Sequence, residues 1–200
     1  MSIADGKPPV RHVGRGSLLL MTQRPPVESI EIYLDEHSER LIRSVWQQLD
    51  DAGMSSMARG QHTPHLTLAV AEAGGERLMH AADAARGELA GLVGAPMQLA
   101  GPGLFMHQRS VLYASVVPTR ALLATQERVA RSAEARGIAL LPTALPRQWT
   151  PHVTLAKRLR SEHFGEALQL MQEVPWPIHA TVRSIIHWDG TRREVSTIVR

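Results

Sequence analysis

The sequence predicts an α+β fold made by internal duplication, and three observations predict it. The phrase Thr63-Pro64-His65-Leu66-Thr67-Leu68-Ala69 returns as Thr150-Pro151-His152-Val153-Thr154-Leu155-Ala156, identical at six of seven positions across an offset of 87 residues. Stretches with the two-residue period of strands alternate with stretches of helical period. Each half also has the same order: strand, helix, His-x-Thr strand, helix, strand. Tyr33 stands 32 residues before His65, and Tyr113 stands 39 before His152. Two copies make one duplication, not a repeat array.

Residues 1 to 26 contain Pro8, Pro9, Pro25, Pro26, three glycines and scattered arginines without a sustained period. They are expected to be a mobile leader, with Met21 a possible second start, before a single domain over residues 27 to 200. Residues 27 to 34 put Ile30, Ile32 and Leu34 on one face of a strand. A helix follows, capped by Asp35, carrying Leu41, Ile42, Val45, Trp46 and Leu49 at helical spacing and stopped by Gly53. The first phrase is a strand over residues 65 to 71. An alanine-rich helix is expected over residues 76 to 92, ending near Gly94, then a strand over 97 to 106 interrupted by Gly101-Pro102-Gly103.

The second half reads alike. A strand over residues 111 to 117 leads through Pro118 into a helix over 122 to 136, closed by Gly137. A loop with Pro142 and Pro146 leads to Trp149 and the second phrase. A helix over 161 to 173 and strands over 178 to 188 and 194 to 199 complete the chain.

Composition narrows the function classes. The 200 residues are 44% apolar and 20% charged, ordinary for a globular protein. Apolar stretches such as 111 to 117 fall far below the roughly 20 residues that span a bilayer, and residues 18 to 21 are too short for a signal core. The absence of cysteine removes disulfides, thiolate nucleophiles and cysteine-bound zinc, and suits a cytoplasmic protein. A net charge of +3 with a pI near 9.9 fits a small anionic ligand or an RNA end better than a long duplex. No Gly-x-x-x-x-Gly-Lys phosphate loop is present. The Gly-x-Gly stretches at 14 to 16 and 101 to 103 read as turns.

Successive strand side chains alternate faces, so the His and Thr of each phrase project from the same side. Two such strands facing each other gather two imidazoles and two hydroxyls, which is chemistry for a phosphate diester. Hydrolysing a phosphate diester needs a base for water and an acid for the departing oxygen, and paired histidines supply both near neutral pH. The threonine hydroxyls and a cation such as Lys157 can hold the non-bridging oxygens. Arg147 and Trp149 could hold and stack a base or ribose, although Trp149 serves equally well as a lobe-packing residue. Tyr113 and Phe105 read as core. His62 and His65, at i and i+3, invite a metal, but Pro64 and strand alternation point them apart and no cysteine or carboxylate pair joins them. No cofactor and no metal are expected.

The duplicated motif with its matching flanks, over residues 27 to 200, resembles the two-histidine (2H) phosphoesterase superfamily. Within it, the 2′-5′ RNA ligase-like proteins, described as RNA 2′,3′-cyclic phosphodiesterases, are the nearest match. The resemblance implies a bilobed fold, each lobe a small antiparallel sheet backed by helices, with the motifs meeting in a central cleft. It implies metal-free opening of a 2′,3′-cyclic phosphate at an RNA end, or on a small cyclic nucleotide, to a 2′-phosphate by a monomer. His65 becomes the acid, His152 the base, and Thr67 and Thr154 the phosphate contacts. Lys157, five positions beyond the second histidine, stands where arginine is commoner, and Val70-Ala71-Glu72 replaces the common Phe-Leu-Gly. Two rivals stand beside this reading: a non-catalytic nucleotide-binding module, and a phosphodiesterase for 2′,5′-linked or ADP-ribose cyclic phosphate substrates.

Overall fold

The computed structural model describes residues 25–60, 62–74 and 77–200. Seven strands, β1 (Val27–Leu34), β2 (His65–Glu72), β3 (Pro96–Phe105), β4 (Ser110–Val116), β5 (His152–Leu159), β6 (Ile178–Asp189) and β7 (Glu194–Val199), form one antiparallel sheet. Its order is β1-β2-β5-β4-β3-β6-β7, and β1 also pairs with β6, which closes a ring of six strands. The ring has two lobes. One joins β2 and β1 to the second part of β6 and to β7. The other joins β5, β4 and β3 to Ile178–Thr181 at the start of β6. The two expected sheets are therefore fused, through the shared strand β6 and a β2–β5 contact at Leu66 and Val153.

The helices cross between lobes. Helix α1 (Glu36–Asp51) packs against β5 and β6, and α4 (Arg120–Glu134) packs against β2. Each half thus lends its helix to the other half's motif strand. Asp35 caps α1 as expected, accepting from the Ser38 backbone N–H at 3.0 Å, and also takes the Thr181 N–H of β6 at 2.7 Å. Ile42, Val45 and Leu49 bury the apolar stripe, each contributing about 1.5–3 kcal/mol. Gly53, at φ 76°, takes the left-handed turn that ends this segment. Gln126, buried on α4, donates to the carbonyls of Leu68 on β2 and Ala144.

Several expectations need correction. The alanine-rich helix is two short ones, α2 (Arg77–Asp83) and α3 (Arg86–Ala90). The break aims α3 at β7, where Arg86 donates to the Ile198 carbonyl at 2.6 Å and pairs with Asp83 at 2.7 Å. No breaker marks the site; tertiary contacts override alanine's propensity. Gly101-Pro102-Gly103 is no turn, since β3 runs through it with a register shift between Leu99 and Gly101. The helix near 161 opens as a 3₁₀ turn (Ser161–His163) before α5 (Phe164–Gln172). The expected leader falls almost wholly on residues 1–24, outside the described residues, as does the glycine pair at 14 and 16. Its last residue, Pro26, accepts the Ala73 N–H at 2.9 Å. Among the described residues no helix is long and apolar enough to cross a membrane.

Candidate active site

The two phrases meet. Leu66 and Val153, fully buried, pair across β2 and β5 and point into the core. The antiparallel register, extended one residue either way, sets His65 across from Thr154 and Thr67 across from His152. All four side chains are half-buried on the opposite, cleft-facing side. The local geometry repeats. His65 Nδ1 lies 2.7 Å from the Thr63 carbonyl, and His152 Nδ1 lies 2.7 Å from the Thr150 carbonyl. A carbonyl only accepts, so each Nδ1 carries the proton and each Nε2 is left for chemistry.

The threonines are held through their backbones by tryptophans from the opposite half of the chain. Trp46 of α1 donates its indole N–H to the Thr154 carbonyl at 3.0 Å, and Trp149 donates to the Thr67 carbonyl at 2.9 Å. The threonine hydroxyls make no hydrogen bond to other described residues, so they remain open to a ligand. Trp149 also packs against the core, the lobe-packing task weighed above. The segment before each phrase adds a further tie. Lys157 N–H donates to the Ser55 carbonyl at 2.9 Å, and Leu141 N–H donates to the Val70 carbonyl at 2.8 Å.

Around this scaffold the halves differ. Glu31 of β1, opposite Thr67 in register and nearly buried, places Oε2 3.6 Å from His65 Nδ1. The corresponding neighbour of Thr154 is Tyr113. Tyr113 stacks on Phe105 with centroids 4.2 Å apart, and the two rings lie 5.3 and 5.0 Å from His152. Expected in the core, both instead wall the cleft. Gly103 makes this possible, because a Cβ there would collide with the Tyr113 ring. Burial, and then the charges of His65 and Lys157, pull the His152 pKa below its ordinary 6.5 against the bond to Thr150.

Lys157 reaches the cleft by way of a bulge. Five positions after His152, simple alternation would aim it away; an extra residue in β5 between Thr154 and Ala156, opposite Tyr113 and Leu112, buries Leu155 and Ala156 in succession and resets that alternation before Lys157. Its side chain stays solvent-accessible, but the crowding walls hold its ammonium below the usual lysine range, opposed by Glu31 and reinforced by Arg158. Arg147 is exposed on the loop before β5 and has no partner among the described residues. His62 lies 6.5 Å from His65 and 6.1 Å from Trp188, centroid to centroid. Burial, Lys157 and His65 lower its pKa, so it is inclined to stay neutral. Among the described residues no cluster of three or more His, Asp or Glu is arranged for a metal.

Of the cleft residues, Glu31 went unnamed from the sequence, His62 was weighed there only as a metal ligand, Phe105 and Tyr113 were placed in the core, and Trp46 was assigned to the apolar stripe of the first helix. For Glu31 a signal existed: it stands on the polar face of an alternating strand.

Two His-x-Thr strands joined edge to edge by a pseudo-dyad, inside an α+β ring, define a two-histidine phosphoesterase. The chain belongs to the 2′-5′ RNA ligase superfamily, whose sequence profile matches residues 34–194. Among solved structures it is similar to Kluyveromyces marxianus Usb1, at 14% identity and a TM-score of 0.50 over 88% of this chain and 98% of that one. A phosphoesterase matches at 15% identity and 0.51, over 86% and 94%. The MHV ns2 PDE domain matches at 16% and 0.50, over 86% and 98%. At these identities the likeness is one of fold. No curated protein matches the chain in sequence.

Proposed function

We propose that the protein hydrolyses a 2′,3′-cyclic phosphodiester, at an RNA end or on a small nucleotide, to a 2′-phosphate. The observation that carries this reading is the register that sets each histidine across from the other strand's threonine. A phosphoryl group between the strands meets a hydroxyl donor and an imidazole from each side. His152, inclined to be neutral, takes a proton from water as the oxygen attacks phosphorus. The bond to the ribose 3′ oxygen breaks, and protonated His65 gives that oxygen its proton. Thr67, Thr154 and Lys157 hold the non-bridging oxygens. The Phe105–Tyr113 wall, the Trp149 ring and Arg147 offer faces and charge to the attached nucleoside. No step uses a metal.

The test is a turnover screen in EDTA of 2′,3′-cyclic nucleotides, a cyclic-phosphate-ended RNA and a 2′,5′-linked dimer, with the product's phosphate position resolved by chromatography. A 2′-phosphate from the cyclic substrates is expected. Nucleotide binding without turnover, or cleavage of the 2′,5′ dimer alone, would overturn the reading in favour of a binding module or another substrate.

A further inference from the structure

A carboxylate is out of place in a cleft built for an anion. Lys157, Arg158 and Arg193 act electrostatically on the site's groups, and Glu31 stands among them as a buried acid. Its position is fixed. Ser29 donates its hydroxyl to Oε1 at 2.7 Å, which leaves Oε2 toward His65 Nδ1 at 3.6 Å. That spacing is too long for a hydrogen bond, and Nδ1 already donates to Thr63. What Glu31 offers is charge beside an imidazole that must be protonated to act. The same place in the other lobe holds Tyr113.

We propose that Glu31 is a positioning residue that dedicates His65 to the acid role: its carboxylate, in ion-pair range of Nδ1, keeps the proton on His65. This rests on the acid and base division proposed above. The negative charge weakens binding of the anionic substrate and is retained because it sets the proton inventory before substrate arrives. The groups facing His65 from neighbouring elements are Glu31 and Tyr33 on β1, His62 ahead of β2, and His152 and Lys157 on β5. Of these, Glu31 is the acid in ion-pair range. Tyr33, paired with His65 in register, is pushed upward by burial and by Glu31, so it stays neutral through the working range.

The experiment compares wild type with Glu31→Gln and Glu31→Asp. In Glu31→Gln, kcat should fall by about tenfold or more above neutral pH while KM stays level or drops, because a repelling charge has gone. The alkaline limb of the rate profile, where His65 loses its proton, should move to lower pH and the acid limb should stay. Glu31→Asp, which keeps charge but loses volume, should retain more activity than the isosteric Gln; a packing role predicts the reverse order. An NMR titration of the His65 ring in the folded wild type and Gln variant reads the effect without turnover. A His65 ring that titrates alike in both, or a kcat unchanged by Gln, would overturn the proposal. If wild type opens no cyclic phosphate, the proposed function fails, and the NMR titration still decides Glu31.

Discussion

His65 and His152 each hold the carbonyl two residues upstream at 2.7 Å, and each follows a proline in the same phrase. Their surroundings diverge: a carboxylate and a second histidine beside one, two aromatic rings beside the other. What the halves share is the part that aims the Nε2 atoms. Their difference lies on the neighbouring strands, and the proposed division of acid and base between two otherwise equivalent imidazoles rests on it. A symmetric pair would have no preferred direction for proton flow.

The largest test asks whether both histidines are needed. His65→Ala and His152→Ala should each lower turnover by roughly 10² to 10⁴ with folding intact, measured on the cyclic substrate with a circular dichroism control. A near-wild-type rate in either variant would leave one half of the comparison without a catalytic role. Next comes Lys157, which the second half has and the first replaces with Val70. Lys157→Ala should lose about 1.5–3 kcal/mol of transition-state stabilisation, roughly ten- to a hundredfold in kcat/KM, and Lys157→Arg should restore much of it. Indistinguishable kinetics for the Ala variant at low salt would move the phosphate's cation to Arg147 or Arg158.

The shared scaffold predicts matched effects. Trp46→Phe and Trp149→Phe each leave one motif threonine's carbonyl without its indole donor, a cost of about 1–3 kcal/mol in urea unfolding. Unequal losses would show that the braces, too, have diverged. The smallest effect is on pH. With its pKa held below 6.5 chiefly by burial, His152 stays neutral to lower pH than free histidine, so the acid limb should fall below 6.5. Phe105→Ala admits water to that ring and should raise the acid limb by under about one pH unit, leaving the alkaline limb in place. An acid limb unmoved by Phe105→Ala would remove the aromatic wall from the account.

Much of this was legible in the chain. The alternation of Ile30, Ile32 and Leu34 sets β1 at Val27–Leu34 as expected, and the repeated phrase located both motif strands. Hidden were features that depend on what lies across from a strand. Glu31 sits on the polar face of β1, but nothing local says whether that face meets water or a cleft. Phe105 and Tyr113 look like core because aromatic residues in strands usually are. Tyr113 lies on the half-exposed face of a strictly alternating β4, and the period alone does not say which of the two faces meets the core. Lys157 reaches the site through a bulge that no period anticipates.

Because β6 is common to both lobes, the order of synthesis constrains the order of folding. The ladder that joins Glu28 to Asp189 cannot form until the chain has been made through Asp189. Until then β1 and β3 each present an open edge, the kind of surface that recruits foreign strands and chaperones. Such long-range pairing also makes for slow folding. Neither copy of the duplication can be matured on its own, since the strand that completes the first is the same one that completes the second.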